Sequence, residues 1–127
     1  MPVIAGTQRP DVIDVIAVDL EGHPDWSVWR VVPGKVIGTW SGERVSVVLN
    51  LVAALPESEA MRCFVPRYAI RLRGGPLVLT EVAFCFQCHN AMSVPIADTT
   101  QPPTWFTFDP DSKPAQDLLH LLRSCAE

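Results

Sequence analysis

The chain has 127 residues, a formal charge of −4 and 48% apolar residues, figures that fit one compact domain and leave no room for a second. With 19% charged residues it is too apolar for a disordered chain, and no apolar run reaches the roughly 18 to 20 residues that span a bilayer. The acidic balance argues against sequence-independent nucleic-acid binding, whose affinity comes from neutralising phosphates.

The opening Met1-Pro2-Val3-Ile4-Ala5-Gly6 lacks a basic region followed by an uninterrupted apolar stretch, so a cytoplasmic location is expected. Residues 1–10, with Pro2, Gly6 and Pro10, read as a flexible arm on a single domain. The β-branched run Val12 to Val18 predicts a strand, followed by a loop through Gly22-His23-Pro24-Asp25. A second extended region runs from Ser27 to Trp40, and its turn signal Pro33-Gly34-Lys35 suggests a hairpin. Residues 42–55 carry two periods at once. Val45, Val47, Leu49 and Leu51 alternate as in a strand, whereas Glu43, Ser46, Asn50 and Ala54 form a polar stripe at helical spacing. A helix is the favoured reading, with Ser41 as N-cap, Glu43 in the first turn and Pro56 as terminator.

The apolar runs 62–73 and 77–88 around Gly74-Gly75-Pro76 predict a central β-hairpin. A three-residue loop pairs Arg73 with Leu77 and sets Phe64, Pro66 and Tyr68 opposite Phe86, Phe84 and Val82, which makes one face continuously apolar. A two-residue loop slips the pairing by one and puts Arg67 and Arg71 against Val82 and Val78, so the three-residue register is expected. It leaves Glu81 diagonal to Arg67 and Arg71. Beyond it lie a loop or short strand over 91–97, a strand at Trp105-Phe106-Thr107-Phe108, and a final helix. Asp111 or Ser112 caps that helix, and Ala115, Leu118, Leu119, Leu122 and Cys125 form its buried face. Together these elements predict an α+β, two-layer sandwich: an antiparallel β-sheet with a central hairpin, and two helices on one face, one mid-chain and one C-terminal.

The sharpest motif is Cys85-Phe86-Gln87-Cys88-His89, which spells the haem-attachment pattern C-x-x-C-H. It lies in an apolar β run with no visible export signal, which speaks against haem. A thioredoxin-like site needs a helix after the motif, and His89 to Pro95 is a poor helix. Zinc is the stronger alternative, because Cys63, Cys85, Cys88 and His89 supply a Cys₃His set. In the expected register Cys63, Cys85 and His89 share one face while Cys88 points to the other, unless a bulge or knuckle at Phe86-Gln87 brings it round. The simpler reading of these three cysteines is structural, with Cys88 a small buried hydrophobe and no cofactor bound. Cys125 reads as core packing.

The arginines Arg62, Arg67, Arg71 and Arg73 give segment 61–97 a charge of +3, against −4 before it and −3 after it. Arg67, Arg71 and Arg73 are therefore candidate partner contacts, although such a row is more often the wet face of a strand. Trp26, Trp29, Trp40 and Trp105 read as core or loop anchors, and an exposed one would suit an interface. His120 reads as a solvent-side residue, and Asp109 and Asp111 as capping groups. No nucleotide-binding or hydrolase motif of the familiar spacings is present.

The segment Cys63-Phe64-Val65-Pro66-Arg67-Tyr68-Ala69-Ile70-Arg71, followed by Phe84-Cys85-Phe86-Gln87-Cys88, resembles a group of small uncharacterised bacterial proteins with C-F-x-P-R-H-x-[IL]-R and then [IL]-C-[FY]-x-C. The likeness covers the middle third of the chain and implies the hairpin, with no assigned activity. Tyr68 stands where the group has histidine and Gln87 where it has glutamate. The functional expectation is a cytoplasmic, non-enzymatic protein-binding module, with an immunity-type inhibitor of a basic toxin or nuclease as its specific form. The alternative is a zinc- or thiol-dependent structural or redox module on Cys63, Cys85, Cys88 and His89. Arginine-lined binding of nucleic acid or an anionic ligand is a third reading.

Overall fold

The computed structural model describes residues 9–59 and 61–126. Most of the expected N-terminal arm, residues 1–8, lies outside the described residues, and Pro10 at its end is already buried. Six strands, β1 (Val12–Val18), β2 (Gly34–Ser41), β3 (Tyr68–Gly74), β4 (Leu77–Cys85), β5 (Asn90–Pro95) and β6 (Thr104–Thr107), form one antiparallel sheet in the order β2-β1-β3-β4-β5-β6. Helix α1 (Glu43–Ala53) connects edge strand β2 to β3 across β1, and helix α2 (Lys113–Cys125) follows β6. No helix among the described residues is long and apolar enough to cross a membrane.

The ambiguous stretch 43–53 is a helix because its deepest side chains recur at helical spacing. Val45, Val48 and Val52 are buried, whereas Val47 of the strand-like alternation faces outward. They pack with Ala115, Leu118 and Leu122 of α2 against Ile13, Val15, Ile70, Leu72, Val82 and Phe84 of the sheet. The N-cap of α1 is Gly42, not Ser41. Ser41 is still paired with Val12 in the sheet, and the next residue must turn at φ 64°, a conformation that glycine adopts without strain. For α2 the N-cap is Ser112, which accepts the Ala115 N–H, while Asp109 Oδ1 accepts the Asp111 N–H at 2.9 Å. The expected hairpin over 27–40 does not form. Trp26–Val28 is a single 3-10 turn, and the chain becomes a strand only at Gly34.

The central hairpin is present with a different register. Its turn is the two-residue loop Gly75-Pro76, flanked by Gly74 opposite Leu77 and Arg73 opposite Val78. A bulge then adds Leu79 to β4, and pairing resumes with Leu72 opposite Thr80, Arg71 opposite Glu81 and Tyr68 opposite Phe84. The extra residue restores the inward and outward alternation that the shorter loop alone would invert. Beyond the bulge, from Leu72 to Tyr68, the face assignments therefore survive while each partner moves by two positions, and Glu81 lies directly opposite Arg71 rather than diagonal to it. Phe64, expected on the face of Tyr68, packs instead on the other face with Ala69 and Cys85. The strand arms are also shorter than 62–73 and 77–88. Residues 62–67 are irregular, and β4 ends at Cys85 in the turn 86–89, which closes with His89 at φ 62°.

The face of the sheet away from the helices is covered as well. Ile16, Ala69, Ala83, Cys85, Met92 and Val94 lie under Trp29 and Val32 of the segment after β1 and under Phe64 of the segment before β3. Irregular chain, not a helix, forms this second cover.

Candidate functional site

Two features stand on the second face, an aromatic cluster and a group of cysteines, and Phe64 joins them. Along β6 the side chains alternate, so Phe106 joins the helix-side core while Trp105, opposite Met92, turns to the other face. Trp26 is carried there by the 3-10 turn, whose first residue is preceded by the capping Asp25; Asp25 Oδ1 accepts the Ser27 N–H at 3.1 Å. The Trp26 and Trp105 ring centroids are 5.0 Å apart and nearly perpendicular, and Phe64 approaches Trp105 at 4.8 Å and Trp26 at 6.1 Å. Edge-to-face contacts of this kind hold the rings in fixed positions. Phe64 is buried, but Trp26 is 38% exposed and Trp105 45%. The acidic residues Asp19, Glu21 and Asp25 are exposed on the loop that leads into Trp26. Trp29 and Trp40 are core residues as expected, with the Trp29 indole donating to the His23 carbonyl at 3.2 Å.

Beside this cluster the turn after β4 brings Cys88 round to Cys63, and the two form a disulfide with a Cα–Cα distance of 5.6 Å. Cys85 is a free, buried thiol whose Sγ accepts the Val65 N–H at 3.3 Å and the Cys88 N–H at 3.2 Å. The Asn90 amide donates to the Cys63 carbonyl at 2.9 Å, and His89 is half-buried in the turn. The expected four-residue set is thus gathered in one region, but two of its sulfurs are bonded to each other, because the 86–89 turn reverses the direction that Cys88 would have in a continued strand. Among the described residues no group of three or more His, Cys, Asp or Glu side chains is arranged to hold a metal ion.

The arginines separate by role. Arg71 Nε donates to Glu81 Oε2 at 2.7 Å, and its guanidinium also lies 3.7 Å from Asp14 Oδ2. Arg73 grips Asp14 from both ends of its fork, with Nε 2.9 Å from Oδ2 and Nη2 donating to Oδ1 at 3.1 Å. Glu81 is 1% exposed and also accepts the Val32 N–H at 2.6 Å, so this network ties the second-face cover to the sheet. Arg71 and Arg73 are therefore engaged internally, and Arg67 is the exposed member of the proposed contact set. It borders a cleft of about 390 Å³ shared with Tyr68, Phe86, Gln87, Leu119 and Arg123. Cys125, on the last turn of α2, packs against the core beside Gly38, and burial pushes its thiol pKa up. His120 is exposed.

The sequence offers an exposed tryptophan as an interface residue, but does not show which of the four are exposed or that Trp26 and Trp105 pair over Phe64. Their signal is faint: Trp105 sits out of phase with Phe106 and Phe108, the apolar positions of its strand. No family model, no curated protein and no solved structure matches this chain.

Proposed function

We propose that the protein is a non-enzymatic binding module that recognises another protein through the surface centred on Trp26 and Trp105. The observation that carries this reading is the pair of exposed tryptophans locked edge to face over the buried Phe64. Tryptophan buries a large area on contact with little conformational entropy to lose, and rings already held in place lose less still. The exposed Asp25 that caps the Trp26 turn, with the overall charge of −4, favours a partner with a basic rim around an apolar centre. An immunity-type inhibitor of a basic toxin or nuclease is the specific form of this reading. Arg67 is a peripheral contact in it.

The test is a paired capture from cells of the source organism at physiological salt, with wild type and a Trp26→Ala Trp105→Ala variant whose fold is checked by circular dichroism. The reading expects one partner in stoichiometric amount with wild type and at least about a tenfold loss with the variant. No partner, or equal capture by both proteins, would count against it. A second reading, a zinc- or thiol-dependent module on Cys63, Cys85, Cys88 and His89, is favoured by the convergence of three sulfurs at one turn. Zinc would require the Cys63–Cys88 bond to be open.

A further inference from the structure

The three sulfurs at the β4–β5 turn differ sharply in access. Cys63 is exposed, whereas its partner Cys88 is fully buried and the free Cys85 is 1% exposed. A thiolate arriving from solvent therefore meets the disulfide at the Cys63 end. Exchange rates depend on which sulfur is attacked and on how accessible it is. The segment on the Cys63 side has few other attachments. From residue 61 to 66 the chain has neither helix nor strand, and its described anchors are the disulfide, the Val65 N–H on Cys85 Sγ, the Asn90 amide on the Cys63 carbonyl, and the burial of Phe64 and Pro66. These anchors lie within the four residues 63–66, and the disulfide is the only covalent one among them.

We propose that Cys63–Cys88 is a thiol-exchange site that accepts small thiols and dithiols at Cys63, and that opening it undocks segment 61–66 from the sheet. This deepens the thiol-dependent reading above and rests on it. The attacking thiolate forms a bond to Cys63 Sγ, and the Cys63–Cys88 bond breaks with its electron pair passing to Cys88 Sγ, which takes a proton. With a monothiol the product is a mixed disulfide on Cys63 and a free Cys88 thiol. With a dithiol the second thiol closes a cyclic disulfide on the reductant and releases Cys63 as a thiol, so the reductant loses two electrons and the protein gains them. Phe64, next to Cys63, is the ring on which Trp26 and Trp105 rest. Opening the bond thus loosens the floor of the aromatic surface, and the redox poise of the compartment sets how much of the protein carries it assembled.

The experiment uses oxidised, untagged full chain with Cys125→Ala, a chelator present and no denaturant. Glutathione or dithiothreitol is added, thiols are trapped with a maleimide and mapped by mass spectrometry, and amide hydrogen exchange is followed by peptide. Glutathione is expected on Cys63 and not on Cys88. Dithiothreitol is expected to expose both sulfurs to trapping and to raise exchange across 61–66 by about tenfold or more while β3 and β4 keep their protection. A Cys63→Ser variant, altered only at the exposed end, is expected to show the raised exchange without reductant. A bond that yields only in denaturant, an adduct on Cys88, or unchanged exchange across 61–66 in either the reduced protein or the variant overturns the proposal. Thiols that are all free in the purified, unreduced protein do so too. None of these readouts involves a binding partner, so they stand or fall separately from the protein-binding reading.

Discussion

Glu81 is the carboxylate on which the second face depends, and its removal tests the register of the central hairpin. Replacing it with alanine leaves the Val32 N–H buried without its 2.6 Å acceptor, a loss of about 1 to 3 kcal/mol. Breaking a fully buried ion pair from one side costs about 3 to 5 kcal/mol, but Arg71 is 27% exposed and keeps Asp14 within 3.7 Å, so only about 1 kcal/mol of that applies. The expected destabilisation for Glu81→Ala is about 3 kcal/mol, which for a domain of this size lowers the melting temperature by roughly 10 °C. Glu81→Gln keeps an acceptor for Val32 and loses only the charge, so about 1 kcal/mol is expected. The assay is urea and thermal unfolding followed by circular dichroism, with Arg71→Met and the double variant closing a cycle. A Glu81→Ala loss below about 1 kcal/mol, or zero coupling between positions 71 and 81, would refute the direct pairing of Arg71 with Glu81.

Three further outcomes are expected. The disulfide closes a loop with a sequence separation of 25, so its reduction should lower stability by about 3.5 kcal/mol in a denaturant titration run with and without dithiothreitol. Gly34, at φ 151°, has no room for a side chain, since a Cβ there would stand 2.1 Å from the Ala17 carbonyl oxygen; Gly34→Ala should destabilise by about 2 kcal/mol or more in the same titration. The Cys125 thiol has its pKa raised above the usual 9.0 by burial, so its folded form holds its proton longer than the unfolded chain does. Stability from this group is complete below pH 9.0 and falls as pH rises beyond it, and alkylation of native Cys125 should still be accelerating with pH above that value.

Much of the architecture was legible from local pattern. The strand at Val12–Val18, the helix over 43–53 and the closing amphipathic helix follow from β-branched runs and residue spacing, with the cap read correctly only for the closing helix, and these signals act within a few residues of chain. The hairpin was legible in kind but not in register, because a turn of either length satisfies the local sequence. Only the pairing of Arg71 with Glu81, together with the docking of Val32 onto Glu81, shows why the bulge at Leu79 is favourable. Arginines that read as a wet strand face proved to be partly covered, since the segment that covers them has no periodicity of its own.

The candidate sites divide the same way. The residue types of the cysteine group, Cys63, Cys85, Cys88 and His89, were readable as a set because Cys85, Cys88 and His89 are neighbours in sequence. Which sulfurs bond depends on a turn at 86–89 that rotates Cys88 toward a segment more than twenty residues earlier, and no local preference determines that meeting. The aromatic surface was still less visible, for Trp26, Phe64 and Trp105 are remote in the chain and converge only when three separate segments pack on one face. Sequence alone determined composition, periodicity and the elements they imply, because those rest on short-range backbone and burial preferences. The tertiary structure decided register, disulfide partner and exposure, because each is a relation between distant residues whose energy exists only once the sheet has assembled.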